Sequence, residues 1–194
     1  MLASSGAVYG VKNLMDAHDS DFSEEVELKY ANLSNYGIAK LYCEEWATRN
    51  KPSNINLAIC RMFSFYGPHL PTNLNFAAGN FLHDSITLKR LLVKGSGKSI
   101  RSYLSSYDLA LALILIVTNK FSGPINIGGN SGLTINELAQ IFCKLTQSSL
   151  EVRNGSSAAE TYYVPKTRVL NEVLEFNEST NIEEGIRSWL SCVQ

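Results

Sequence analysis

The sequence predicts an α/β protein built on a parallel sheet, and three observations predict it. The near-continuous apolar run Asn56-Leu57-Ala58-Ile59-Cys60-Arg61-Met62-Phe63 stops at Tyr66-Gly67-Pro68, as a buried parallel strand stops at a turn. A helix-like segment with apolar Ile38, Leu41, Tyr42 and Trp46 precedes it. Before that, Leu2 to Gly10 is rich in small residues and reads as a strand end running into a turn. Strand, helix, strand is one crossover unit.

Taken in order, the first strand ends in Ser4 and Ser5, whose hydroxyls sit where parallel strands line a ligand crevice. Residues 11 to 34 carry Asp16, Asp19, Asp21, Glu24, Glu25 and Glu27 with little apolar periodicity, which predicts a surface loop overhanging the site. Ser34 or Asn35 caps a helix over about 36 to 49 whose apolar members pack on the sheet, and Pro52 ends it. Beyond Pro71 come a helix over 76 to 87, a strand at 91 to 93, the turn Gly95-Ser96-Gly97 and a strand at 100 to 104. A helix over 107 to 117, a strand at 124 to 127 and a helix over 134 to 146 follow, the last opened by the capping box Thr134 and Glu137. The tail adds a strand at 150 to 152 and helices over 167 to 174 and 182 to 192. Gly95-Ser96-Gly97-Lys98-Ser99 imitates the end of a phosphate-binding loop, but Leu92 stands where that loop needs Gly and a strand follows, so it is read as a tight turn.

The 194 residues, 45% hydrophobic and 18% charged, suit one soluble domain with room for a small second lobe. A net charge of -1 gives no footprint for nucleic acid or an anionic membrane, so the expected partner is a small molecule whose anionic groups are held locally. Cys43, Cys60, Cys143 and Cys192 are widely spaced, which predicts reduced thiols and a cytoplasmic protein. His18, His69 and His83 lack metal-site spacing, and no metal is expected. The apolar run from Leu109 to Val117 falls short of the roughly 20 residues a membrane span needs.

Tyr36-Gly37-Ile38-Ala39-Lys40 places a phenol and an ammonium one helical turn apart on one face. A neighbouring cation favours the phenolate and makes a usable base. The same spacing also describes an amphipathic helix with a snorkelling lysine, and five residues do not separate the two readings.

Ser4-Ser5-Gly6-Ala7-Val8-Tyr9-Gly10, then Tyr36-x-x-x-Lys40, then Arg61-Met62-Phe63-Ser64-Phe65-Tyr66-Gly67-Pro68, is similar to the ordered signature of the extended short-chain dehydrogenase/reductases that act on nucleotide sugars. The resemblance continues through Gly79-Asn80-Phe81, Arg101-Ser102-Tyr103, Asn126-Ile127-Gly128-Gly129 and Tyr163-Val164-Pro165-Lys166. It implies a partial doubly wound, Rossmann-like parallel sheet plus a smaller α/β substrate-binding lobe. Residues 1–70 would be the remaining part of the NAD-binding domain and 71–194 mainly the nucleotide-sugar lobe, with about 100–130 returning to the sheet.

The resemblance also implies roles. Tyr36 takes the proton from a sugar hydroxyl while hydride leaves the same carbon for NAD; Ser5 hydrogen-bonds that hydroxyl; Lys40 holds the nicotinamide ribose. Phe63 lies where the family places backbone near the cofactor, and Ser64 where relatives often have a substrate-contacting Asn. Arg101 corresponds to the family's arginine for the nucleotide diphosphate, the other reading being a surface ion pair. Asn80 is a substrate contact or a helix cap. Family dehydratases carry an acidic pair where this chain has Gly6-Ala7, and family decarboxylases a Glu nearby, so the expected reaction is epimerisation or ketosugar reduction.

No Gly-x-x-Gly-x-x-Gly turn for the cofactor pyrophosphate occurs in the 194 residues. The expectation is therefore a truncated epimerase-type oxidoreductase, a homodimer through helix 36 to 49 or paired with a chain that supplies the missing half. The alternative is an inactive remnant that binds nucleotide sugar or pairs with a full-length relative.

Overall fold

The computed structural model describes residues 1–18, 22–72, 74, 76–153 and 159–193; Asp19 and Asp21 of the acidic loop lie outside them. Three parallel strands form the sheet that carries the site: β1 (Leu2–Ser5), β3 (Ala58–Met62) and β8 (Gly123–Ile127), in the order β1-β3-β8. Ala3 pairs with Cys60 and Cys60 with Ile125. Such a sheet is covered on both faces, which is why β3 reads as an unbroken apolar run. The crossover between β1 and β3 is α1 (Asn35–Asn50), capped by Ser34, whose Oγ accepts from the Gly37 N–H at 3.1 Å. Between β1 and α1 lie a 3-10 turn, Gly6–Tyr9, and the short strand β2 (Lys12–Asn13).

The second half starts with β4 (Phe65–Tyr66), α2 (Ala77–Thr87) and β5 (Arg90–Lys94). The segment expected as one strand at 100 to 104 is two, β6 (Ile100–Ser102) and β7 (Leu104–Ser105), which belong to different sheets. The chain turns at Tyr103 because Gly129 packs directly on its backbone, a Cβ there falling 2.8 Å from the Tyr103 carbonyl oxygen. Then follow α3 (Ser106–Thr118), which leads back into β8, β9 (Gly132–Thr134), α4 (Ile135–Thr146), β10 (Ser149–Arg153), β11 (Thr161–Tyr163) and α5 (Ile182–Ser191). β10 pairs with β5 in parallel, β4 with β7, and a mixed sheet runs β2-β11-β6-β9. The capping box of Thr134 and Glu137 forms as expected. The expected helix over 167 to 174 is only a short π-helical turn, Val169–Val173. No described helix is long and apolar enough to cross a membrane.

One core lies on the three-stranded sheet, around Cys60, Ala112, Ile116, Ile125, Ile127 and Leu170. Another fills the lobe, around Phe81, Leu91, Leu138, Phe142, Ile186 and Trp189. A third, Val8, Tyr9, Phe22, Leu41 and Phe63, lies between the start of α1 and the mixed sheet.

The face of α1 turned to the sheet is not the apolar one the sequence suggested. Gly37, Leu41 and Glu44 are buried, while Ile38, Tyr42 and Trp46 stay at the surface. Glu44 takes that place because Arg61, inside the apolar run of β3, needs a counter-charge. The Arg61 Nη2 donates to Glu44 Oε2 at 2.8 Å and its Nε to both carboxylate oxygens at 3.2 Å. Ser4 Oγ also donates to Glu44. Arg61 Nη1 donates to the Tyr9 hydroxyl at 2.9 Å, which donates to Asn126 Oδ1 at 2.9 Å. The network joins α1, β1, β3, β8 and the turn after Ser5.

Removing one partner of a buried ion pair strands the other charge, at a cost of roughly 3–5 kcal/mol. Arg61→Met is expected to lose stability of that order, and Arg61→Met with Glu44→Leu distinctly less than the sum of the singles, read from urea unfolding midpoints. An equal and additive loss would show that the pair is not coupled.

Asp108 is fully buried at the start of α3 and accepts from the Ser105 and Ser179 hydroxyls at 2.8 and 2.6 Å and from the Ser179 and Thr180 N–H groups at 3.1 and 3.2 Å. Burial opposes its charge, but these hydrogen bonds together outweigh it and hold its pKa below the usual carboxylate value. Its stabilisation is therefore present above the unfolded value of about 3.9 and is lost as pH falls through the lower folded value. Asp108→Asn is expected to cost roughly 1.5–3 kcal/mol near pH 7, a difference that shrinks as thermal unfolding is followed below pH 4 or so.

Candidate functional site

Ser5 is delivered by the carboxyl end of β1, and its Oγ accepts from the Ala7 N–H at 3.2 Å, opening the 3-10 turn. The first turn of α1 presses on this turn. A Cβ on Gly37 would lie 2.5 Å from the Ala7 carbonyl oxygen, so only glycine permits the approach. That contact brings Tyr36 and Lys40 to the same end of the sheet as Ser5. Tyr36 is 57% exposed. Lys40 Nζ lies 5.7 Å from the Tyr36 ring centroid and donates to the Ala3 carbonyl oxygen at 2.9 Å.

Phe63 follows β3; its N–H donates to the Ile127 carbonyl at 2.8 Å, and its side chain is buried against Tyr163, with ring centroids 4.5 Å apart. Ser64 accepts at its backbone carbonyl from the Leu104 N–H at 3.1 Å, which ties the strand end to β7.

Arg101 lies on β6, and its guanidinium is pinned to the mixed sheet. Nη1 donates to the carbonyls of Ile100 and Thr161 at 2.8 and 3.1 Å, and Nη2 to Thr161 Oγ1 at 2.6 Å. Burial pulls its pKa below the usual arginine value, with Tyr103 and Tyr163 opposing that shift. Among the described residues no carboxylate forms an ion pair with it, so the surface-ion-pair reading does not describe this residue.

Asn80 lies inside α2. The cap is Phe76, whose carbonyl accepts from the Asn80 N–H at 3.0 Å, so the helix-cap reading of Asn80 does not hold. Its residue lines a cavity of about 800 Å³ with Phe81, Asp84, Arg90, Lys94 and Ile135. The structure thus gathers Ser5, Tyr36, Lys40 and Phe63 at one sheet end, places Arg101 beside them on β6, and sets Asn80 apart in the lobe cavity.

Two features escaped the sequence reading. Gly6 is held under Tyr163 and Phe63, whose atoms would lie 2.5 to 2.7 Å from a Cβ, so no side chain fits there. Tyr163 itself, on the three-residue strand β11, lays its hydroxyl on the turn at Gly6. Its signals in the sequence are the aromatic pair Tyr162-Tyr163 and the family-like segment Tyr163-Val164-Pro165-Lys166, neither of which assigns it a contact.

The sequence model of the NAD dependent epimerase/dehydratase family matches residues 1–128. Among curated proteins, UDP-glucuronic acid decarboxylase 2 of Arabidopsis thaliana is 24% identical over 96% of this chain and 42% of its own length. UDP-glucuronic acid decarboxylase 1 of Xenopus tropicalis is 23% identical over 96% of this chain and 44% of its own. The chain spans about half the length of the curated relatives it matches. Among solved structures, dTDP-glucose 4,6-dehydratase from Bacillus anthracis in complex with NAD superposes with a TM-score of 0.81 at 21% identity, over 97% of this chain and 59% of that one. UDP-N-acetylglucosamine 4-epimerase from Methanobrevibacter ruminantium, in complex with UDP-N-acetylmuramic acid, gives 0.82 at 21%, over 98% and 61%. MoeE5 in complex with UDP-glucose and NAD gives 0.81 at 24%, over 98% and 63%. These likenesses show the Rossmann-like α/β fold, and with the family match over residues 1–128 the chain belongs to the NAD dependent epimerase/dehydratase family.

Proposed function

We propose that these residues carry the proton-transferring and sugar-holding side of a nucleotide-sugar oxidoreductase of the epimerase type. The observation that carries this reading is the close contact of Gly37 with the Ala7 carbonyl, which seats the first turn of α1, bearing Tyr36 and Lys40, on the turn that Ser5 opens. Tyr36, open to solvent and beside a cation, is the base that takes the proton of a sugar hydroxyl. Ser5 hydrogen-bonds that oxygen as it becomes a carbonyl. The half-buried Arg101, without a carboxylate partner among the described residues, suits a diphosphate.

Bound at this site, NAD would supply the hydride acceptor and donor for the sugar carbon, with Lys40 and Tyr36 at its nicotinamide end. The residues present fit its nicotinamide end. Lys40 spends one of its three donors on Ala3 and has others for a ribose hydroxyl. No glycine-rich turn in the 194 residues fits the pyrophosphate.

Epimerisation or ketosugar reduction suits the site better than elimination of water, because Gly6 has no room for an acid and Ala7 offers only a methyl group. A second reading, decarboxylation of a nucleotide-linked uronic acid, is favoured by what the curated relatives are named for. It shares the first step, since a ketone β to a carboxylate releases carbon dioxide. The inactive binding remnant remains the contrasting reading, and product analysis separates it from both.

Calorimetric titration of the 194-residue chain is expected to show weak binding of a nucleotide-diphosphate sugar and no measurable heat with NAD. Tight NAD binding would contradict the need for a glycine-rich turn. Arg101→Ala is expected to abolish the nucleotide-sugar heat, and persistence of that heat would remove Arg101 from the diphosphate site.

A further inference from the structure

Arg101 is held on β6 by neutral acceptors, and the way it is held leaves one edge of its guanidinium unspent. A guanidinium carries five N–H donors, one on Nε and two on each Nη. Nη1 donates to the Ile100 and Thr161 carbonyls at 2.8 and 3.1 Å, and Nη2 donates to Thr161 Oγ1 at 2.6 Å. Thr161, with its own carbonyl and hydroxyl, takes the outer edge of the group. Among the described residues nothing accepts from Nε or from the second Nη2 N–H. Those two bonds run parallel, as the fork with which arginine grips two oxygens of one oxyanion.

Thr161 is itself fixed. Its N–H donates to Ser99 Oγ at 3.0 Å and its hydroxyl to the same oxygen at 3.4 Å. The hydroxyl proton is spent on Ser99, which leaves the lone pairs of Oγ1 for Arg101. Strand β11 is tied on both sides, to β2 through Thr161 and Asn13 and to β6 through Tyr163 and Arg101. The Tyr163 ring centroid lies 5.8 Å from the guanidinium carbon, within the range at which an aromatic face attracts a cation.

We propose that Thr161 is a positioning residue: by holding the outer edge of the Arg101 guanidinium it keeps the Nε–Nη2 fork fixed and unspent for the diphosphate, a role that rests on the function proposed above. A carboxylate in the same place would also fix the side chain, but it would cancel the charge that the ligand needs. Neutral acceptors restrain the group and leave its charge whole. A side chain ordered before the ligand arrives also loses less rotamer entropy on binding.

Thr161→Val keeps the outline of the side chain and its backbone bonds and removes the acceptor, and Thr161→Ser retains it. With UDP-glucose as the probe, calorimetry is expected to show roughly tenfold weaker binding by Thr161→Val, near-normal binding by Thr161→Ser and none by Arg101→Ala. In the nitrogen-15-labelled chain, saturating UDP-glucose is expected to move the Arg101 Nε proton downfield in the unaltered protein and in Thr161→Ser, but not in Thr161→Val. A merely weakened fold would need more ligand to reach the same shift. Binding lost in Arg101→Ala but unchanged in Thr161→Val, or the full shift at saturation in Thr161→Val, overturns the proposal and leaves the proposed function standing. Binding unchanged in Arg101→Ala overturns both. If the unaltered chain takes up no UDP-glucose, the proposed function falls; separate Arg101 Nη2 proton signals that merge in Thr161→Val then support the anchorage, and signals indifferent to Thr161→Val overturn it.

Discussion

The buried pair of Glu44 and Arg61 is the interaction on which the rest of the site depends. Two charged side chains, 4% and 5% exposed, sit where a parallel sheet and its crossover helix would ordinarily bury aliphatic ones. Attraction between them is largely offset by the loss of their hydration, so their effect is better sought in geometry than in gross stability. The three hydrogen bonds from one guanidinium to one carboxylate fix the rotation of α1 about its axis. That rotation determines that Gly37 meets Ala7, and hence where Tyr36 and Lys40 stand. Ser4, bonded to the same carboxylate, carries the constraint into the residue before Ser5.

Much of the fold was legible from local chemistry. The Ser34 and Thr134 caps, the Pro52 stop and the apolar run into β3 each express a short-range rule, and the structure follows them. What was not legible depended on long-range partners. Periodicity marked Ile38, Tyr42 and Trp46 as the packed face of α1, but it carries no information that a buried arginine 17 residues after Glu44 will turn the helix the other way. The break between β6 and β7 follows from the approach of Gly129, distant in sequence, to Tyr103. Strand β11 is three residues long and lacks a period to detect.

The site was readable in the same uneven way. Ser5, Tyr36 and Lys40 were found as residue types at suggestive spacings, and their placement at one sheet end needed the contact of two backbones. Arg101 was picked out by the family resemblance, but its anchorage to Thr161 could not be read, because nothing local to either residue announces it. Asn80 was ambiguous because a helix cap and a substrate contact draw on the same amide; its place four residues after the true cap, Phe76, removes the first reading. Gly6 reads in the sequence as a missing acid, whereas in three dimensions it is a position with no volume to fill.

β1 has β3 on one side, and among the described residues no strand pairs with its other side. An open strand edge is a template for further strands, from any chain that presents one. Lys40 places its ammonium on the Ala3 carbonyl of this strand. A strongly hydrated cation there discourages an incoming strand. The lysine proposed for the site thus also loads the first strand with a hydrated charge. Its neutralisation would alter colloidal behaviour as well as the site, with an effect that grows with protein concentration.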